Sequence, residues 1–294
     1  MKHFPYGKGL YVWNIIDMPK DWVYQFVEVM GLTWIAVKIA DGVNSSNLRW
    51  LANGDSVDDI LAPFIEKARA AGLQVYGWQY IYGYNPKDEA EKAAKRMHQF
   101  DLAGFIIDAE EYYKNKPVQA ATYAGTLANI LLDKSIALST YRFPELHREF
   151  PFAEFLTICD YNSPQVYWNP GKAGVELKEC DKQYKKLCDL PLVPAGRAYV
   201  GNGFPKPTPS EIDEFLDTAG YLQCTGAFFW SADTLYHRLV PLPNIVEAIS
   251  LYEWGVPDPD PDPIIKSVTL RDIVMIVDGD TYRNAEEMRL IKRS

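Results

Sequence analysis

Eight short apolar runs recur along the chain with a spacing that only a few architectures tolerate. They begin near Leu10, Trp34, Gln74, Gly104, Ile136, Ser163, Leu192 and Gly226, with successive starts 24 to 40 residues apart. A strand, a crossover helix and two loops use about 30 residues, so the repeat favours βα units and a parallel sheet. Amphipathic stretches fill the intervals. Ile60, Leu61, Phe64, Ile65 and Ala68 mark one apolar helical face, with Ser56 as a candidate N-cap and Gly72 as the stop. Lys87–Asp101, Val118–Leu132, Leu177–Leu187 and Ser210–Gly220 read as helices in the same way, and Pro117 and Pro209 stand at helix starts. Eight such units in about 250 residues is the count for a (β/α)8 TIM barrel. A doubly wound open sheet is the rival, but the first βα turn lacks a Gly-rich phosphate loop. The expectation is therefore an α/β chain with a barrel over residues 1–254.

Barrel active sites lie at the C-terminal ends of the strands. The fourth run, Gly104-Phe105-Ile106-Ile107-Asp108-Ala109-Glu110, drives apolar residues straight into an Asp-x-Glu pair. Alternation along a strand points Asp108 and Glu110 the same way, with Cα atoms roughly 6.6 Å apart. Two carboxylates so close are expensive to bury without a use. Cleavage of a glycosidic bond needs such a pair, one group protonated and one ionised. The same rim receives Tyr11 and Trp13 from strand one, Lys38 and Asp41 from strand two, and Trp78, Tyr80 and Tyr82 from strand three. Strands five to eight add Tyr141 and Arg142, then Gln165, Tyr167 and Trp168, then Arg197 and Tyr199, then Trp230 and Asp233. Aromatic residues make up 14% of the chain, and their concentration at the rim suits sugar rings, whose apolar faces stack on flat side chains. Tyr11 and Tyr199 are equally suited to filling the barrel interior. Trp168 and Trp230, which precede polar loops, are expected to bind.

On these residues the chain resembles the family-25 glycoside hydrolases, lysozyme-like muramidases of bacteria and phages, and related glycoside-hydrolase-like barrels. The resemblance spans roughly Gly9 to Tyr252. It rests on Ala36-Val37-Lys38-Ile39-Ala40-Asp41-Gly42, Asn85-Pro86-Lys87-Asp88-Glu89-Ala90-Glu91, Ser139-Thr140-Tyr141, the Trp230 strand and, above all, Phe105-Ile106-Ile107-Asp108-Ala109-Glu110. It implies that Glu110 is the general acid and that Asp108 orients or stabilises the reacting N-acetyl sugar. The remaining rim residues would then hold peptidoglycan. Two departures stand out. Tyr11 occupies the place of the family's first-strand Asp, with Asp17 in the following loop as a candidate substitute, and Gln79-Tyr80 replaces an aromatic-His pair. Chitinase-type barrels are a second relative, but their strand-four signature has Asp where this chain has Ala103 and Ile106. The alternative function is a non-catalytic glycan-binding or structural barrel, such as a virion component.

Other chemistries find little support. His3, His98, His147 and His237 show no paired spacing, and His98 falls on an expected solvated helix face. Asp17, Asp41, Glu110 and Asp233 are a conceivable oxygen cage for a cation, but no loop motif supports one, and neither metal nor cofactor is expected. No Gly-x-Ser-x-Gly elbow is present, and Ser139 has no evident His partner. Cys159, Cys180, Cys188 and Cys224 lack zinc or redox spacing and are expected as free thiols. A net charge of −9 argues against nucleic acid or an anionic membrane as partner, and no run of 18 apolar residues occurs. The N-terminus reads without a signal peptide, which suggests a phage or prophage product acting outside the cell or on a particle.

After Trp254 the composition changes. Residues 255–263 form an alternating Pro/Asp linker. Residues 264–294 place Asp278-Gly279 between apolar runs, the signal of a β-hairpin. About 30 residues cannot bury a core, so this tail is expected to dock on a second copy or another chain.

Overall fold

A computed structural model describes residues 2–16, 18–19, 21–50, 57–201, 203–236, 242–255, 275–277 and 280–282. Eight parallel strands form the frame: β1 (Gly7–Val12), β2 (Trp34–Asp41), β3 (Gln74–Ile81), β4 (Gly104–Ala109), β5 (Ser135–Ser139), β6 (Tyr161–Asn162), β7 (Ala195–Arg197) and β8 (Gly226–Trp230). Their order in the sheet is β7-β8-β1-β2-β3-β4-β5-β6. The last seam closes through backbone bonds from Val193 to the Asn162 carbonyl at 2.8 Å, Ala195 to Pro164 at 2.9 Å and Val166 to Ala195 at 2.8 Å. The sheet is therefore a closed (β/α)8 TIM barrel.

Alternation along the strands sorts the apolar residues into two shells. One faces the barrel axis and contains Tyr11, Trp34, Tyr76, Trp78, Ile106, Tyr161 and Phe228. The other, with Leu10, Ile35, Val37, Phe105 and Ile107, packs beneath the helices. Gly9 shows how tight the inner shell is, because a Cβ there would sit 2.3 Å from the Trp34 ring.

Helices follow the strands in turn. They are α1 (Trp22–Tyr24, continuing as a π-helical turn Gln25–Val29), α2 (Leu61–Ala70), α3 (Pro86–Phe100), α4 (Pro117–Ile130), α5 (Phe152–Leu156), α6 (Ala173–Tyr184), α7 (Pro209–Tyr221), α8 (Ala232–Leu235) and α9 (Pro243–Leu251). Proline opens α3, α4 and α7, where its missing N–H has no partner to lose. Thr208 and Glu211 close a reciprocal capping box on α7. The stop expected at Gly72 is a left-handed glycine with φ +87°. Ser56 lies outside the described residues, and Ile60 stands at the start of α2 without a capping side chain. α1 likewise has no capping side chain, so no start signal announces it.

Cys188 falls beyond the end of α6, and all four cysteines are free. Among the described residues no helix is long and apolar enough to cross a membrane. In the tail, Met275–Val277 pairs antiparallel with Asp280–Tyr282, and Val277 faces Asp280, the register expected for a hairpin at Asp278-Gly279. That turn and the Pro/Asp run after Gly255 lie outside the described residues.

Candidate active site

Strand β4 supplies the centre of the site. Phe105, Ile107 and Ala109 enter the outer shell, so the alternate residues Ile106 and Asp108 face the axis. Asp108 is buried, and Glu110, one step past the strand end, is half-buried. From the segment just past β6 the side-chain amide of Gln165 donates to Asp108 Oδ1 and to Glu110 Oε1, both at 2.9 Å. One nitrogen bonded to both oxygens holds them within about 6 Å, closer to the roughly 5–5.5 Å of retaining glycosidases than to the wider gap of inverting ones.

Aromatic rings floor this mouth. Tyr11, Trp78 and Trp230 meet edge to face, with centroids 5.3 Å apart for Tyr11–Trp78 and Tyr11–Trp230 and 5.5 Å for Trp78–Trp230. Trp13 lies 6.3 Å from Trp230 and is half exposed. Lys38 places its ammonium 5.1 Å over Trp78 and 5.8 Å over Trp13, and pairs with Asp41 at 3.3 Å.

The electrostatics follow from burial. Loss of water, then the Glu110 charge, pushes the Asp108 carboxyl well above its ordinary range, with Lys38 pulling the other way. Burial and the two carboxylates also raise the phenols of Tyr11, Tyr80 and Tyr167, so these hydroxyls stay protonated and available as donors. The buried Tyr11 hydroxyl lies within hydrogen-bonding reach of the Ser139 side chain and feels the Asp108 charge. The site therefore unites two close carboxyls, an amide bridging them, neutral phenols and stacked rings.

Most expected residues meet here: Asp108, Glu110, Gln165, Tyr11, Trp78, Tyr80, Tyr167 and Trp230 at the centre, with Lys38, Asp41 and Trp13 at the edge. Three do not fit a sugar-contacting role, and Tyr141, half-buried and bridged to Gln165, is engaged by its neighbours. Trp168 is fully buried in the outer shell, 5.1 Å from Phe215, because alternation that turns Tyr167 inward turns its neighbour outward. Arg197 is fully buried between Trp168 and Phe204 and donates to the Pro205 carbonyl, the loop after β7 having folded over it. Asp233 is committed to backbone, accepting the amides of Trp13 at 2.9 Å and Asn14 at 2.5 Å. Tyr141 stacks on His147 at 3.6 Å and donates its hydroxyl to Glu111 at 3.3 Å. Tyr11 and Trp78 are almost wholly buried, so they form floor rather than open surface.

Asp17 lies outside the described residues, and strand β1 itself brings no acid to the mouth. Gln79, another departure from the family pattern, is structural. Its amide nitrogen donates to the Gly42 and Glu89 carbonyls at 2.7 and 2.9 Å, and its oxygen accepts from Tyr123 at 2.7 Å. Among the described residues no group of three or more His, Cys, Asp or Glu is placed to hold a metal ion. Residues the sequence reading left out are Tyr84 and Tyr112, which stand exposed beyond Tyr80 and Tyr82.

The fold is a (β/α)8 TIM barrel with an acid pair and aromatic rings at its C-terminal mouth. No family model and no curated protein matches the chain in sequence. Solved structures do match it in fold. The catalytic domain of a hyperthermophilic chitinase from Pyrococcus furiosus superposes with a TM-score of 0.62 at 13% identity, over 85% of this chain and 95% of that one. A chitinase from Chromobacterium violaceum gives 0.60 at 9% identity, over 84% and 99%. A xylanase and α-amylase inhibitor protein from Scadoxus multiflorus gives 0.54 at 13% identity, over 84% and 98%.

Proposed function

We propose that this chain is a glycosidase acting on a polysaccharide of N-acetylated sugars, with bacterial cell-wall peptidoglycan as its substrate. The observation that carries this reading is the Asp108–Gln165–Glu110 bridge over an aromatic floor at the C-terminal mouth of the barrel. Glu110 reaches furthest into solvent and donates its proton to the glycosidic oxygen. Asp108 sits deeper and steadies the substrate's N-acetyl group as its carbonyl oxygen closes on the anomeric carbon. Water then opens that ring and returns a proton to Glu110, as in substrate-assisted glycosidases. The chitinases among its fold neighbours support the choice of an N-acetylated glycan. The lysozyme-like segments around Lys38 and Asp108 support peptidoglycan, and with it action outside the cell or on a phage particle. Reducing-end release from purified peptidoglycan by the wild type and by Glu110→Gln tests the reading.

A second reading is favoured by one feature. Tyr11 stands on β1 where the lysozyme-like family has an acid, so the barrel is also suited to holding glycan without cutting it. The inhibitor protein of similar fold is in keeping with such a role. On either reading the 264–294 tail serves as a docking element for a second copy or a partner chain.

A further inference from the structure

Past the end of β3 the alternation of tyrosines continues. Tyr80 lies within electrostatic reach of Glu110 and Asp108, and its ring meets Tyr82 at 5.0 Å. The rings of Tyr82 and Tyr84 are parallel, 6.0 Å apart with 4° between their planes. Tyr112, from the loop after β4, stands nearly upright to both at 5.0 and 6.0 Å. The two outer rings are open to solvent, Tyr84 by 68% and Tyr112 by 44%.

The turn carrying these rings is fixed without help from the exposed faces. The buried Glu89 carboxylate accepts the amides of Tyr82 and Gly83, both at 3.1 Å. Lys116 donates to the Tyr82 carbonyl at 3.1 Å and sets its ammonium 4.9 Å over the Tyr84 ring. Tyr82 donates its hydroxyl to Asp41 at 3.0 Å. Gly83 has φ +68°, and a Cβ there would sit 3.0 Å from the Tyr113 ring, so only glycine suits the turn. A cluster of large rings held this firmly and left uncovered marks a binding surface.

Beside it lies a hollow of about 330 Å³ walled by Asp41, Asn44, Tyr82, Tyr84 and Asn85. It shares Asp41 with a second hollow of about 310 Å³ next to Trp13 and Lys38. Ring faces beside carboxylate and amide groups match the two chemistries of a pyranose, an apolar face and a girdle of hydroxyls. We propose that the Tyr82–Tyr84–Tyr112 corner and its hollow form an outer carbohydrate site, holding a sugar several units along the same glycan chain whose linkage lies at Glu110. The site rests on the glycan-acting reading above and adds that the protein grips long chains in preference to short ones.

Calorimetric titration of the full chain with the dimer and the hexamer of N-acetylglucosamine tests this. Tyr84→Ala and Tyr112→Ala should each weaken hexamer binding by about tenfold and leave dimer binding unchanged. Tyr84→Phe, which keeps the ring, should bind hexamer like the wild type. Hexamer binding untouched by both alanine substitutions overturns the outer site, as does a wild type that binds no hexamer. Hydrolysis is read separately: hexamer binding that depends on Tyr84 without reducing-end release keeps the site and removes the glycosidase reading.

Discussion

Gln165 donates its side-chain amide to Asp108 at 2.9 Å at the barrel mouth, from just past the end of a strand two places away in the sheet. The same nitrogen reaches Glu110, so a neutral group sets the mutual position of the two acids. Gln165→Leu removes both bonds and leaves the inner shell packed. A hydrogen bond to a charged group contributes about 1.5–3 kcal/mol, which corresponds to a loss of roughly 10- to 100-fold in kcat. KM should change little, because the contact is to the reacting groups. Steady-state kinetics on a soluble glycan checks the split, and a fall confined to KM speaks against it.

The raised carboxyl of Asp108 makes a stability prediction of definite sign. An acid whose folded pKa lies above its unfolded value holds its proton more tightly in the native state, so ionisation weakens the fold. The contribution of Asp108 is thus most favourable in acid and is lost as pH rises from the unfolded value of about 3.9 through the raised folded one. Asp108→Asn abolishes that loss. Its melting temperature should exceed the wild type's at neutral pH and match it below about pH 4. Calorimetric melting across pH checks this, and a variant less stable at neutral pH contradicts it.

Asp233 is a brace for the rim through its bonds to Trp13 and Asn14, which join α8 to the residues just past β1. Asp233→Ala should cost on the order of 2 kcal/mol, the scale for leaving amides without an anionic partner. It should also weaken glycan binding through a displaced Trp13. Denaturant melts and oligosaccharide titration check both effects; a variant unchanged in stability rules out the brace.

Separation of the tail from the barrel should be visible in solution. Truncation after Trp254 is expected to leave the melting temperature nearly unchanged and to lower the mass seen by light scattering. A full-length chain that is already monomeric, or a barrel that unfolds without its tail, contradicts docking through 264–294.

The barrel was legible because its signal is periodic. Strand spacing, the Pro117 and Pro209 starts and the Gly72 stop all act locally, and each reappears in the structure. The site was legible where alternation alone decides direction, as for Asp108. It was misread where a loop decides. Period two argues against pairing Tyr167 with Trp168, yet nothing local shows that the loop after β7 covers Arg197 or that Asp233 turns back to β1. The sixth strand, expected from Ser163, is shorter and begins at Tyr161. β6 spans two residues, and its pairing continues through separate bridges at Gln165, so no run of β-formers marks its end. The tyrosine corner escaped for the same reason, since Tyr112 comes from a different loop than Tyr82 and Tyr84.

The central claim is that Glu110 supplies the proton for glycosidic cleavage. Reducing-end release from purified peptidoglycan should be robust for the wild type and fall by at least about a thousandfold in Glu110→Gln, while the variant keeps its melting temperature and still binds glycan. A Glu110→Gln protein that releases reducing ends at the wild-type rate, or a wild type that binds the polymer and releases none, contradicts the account.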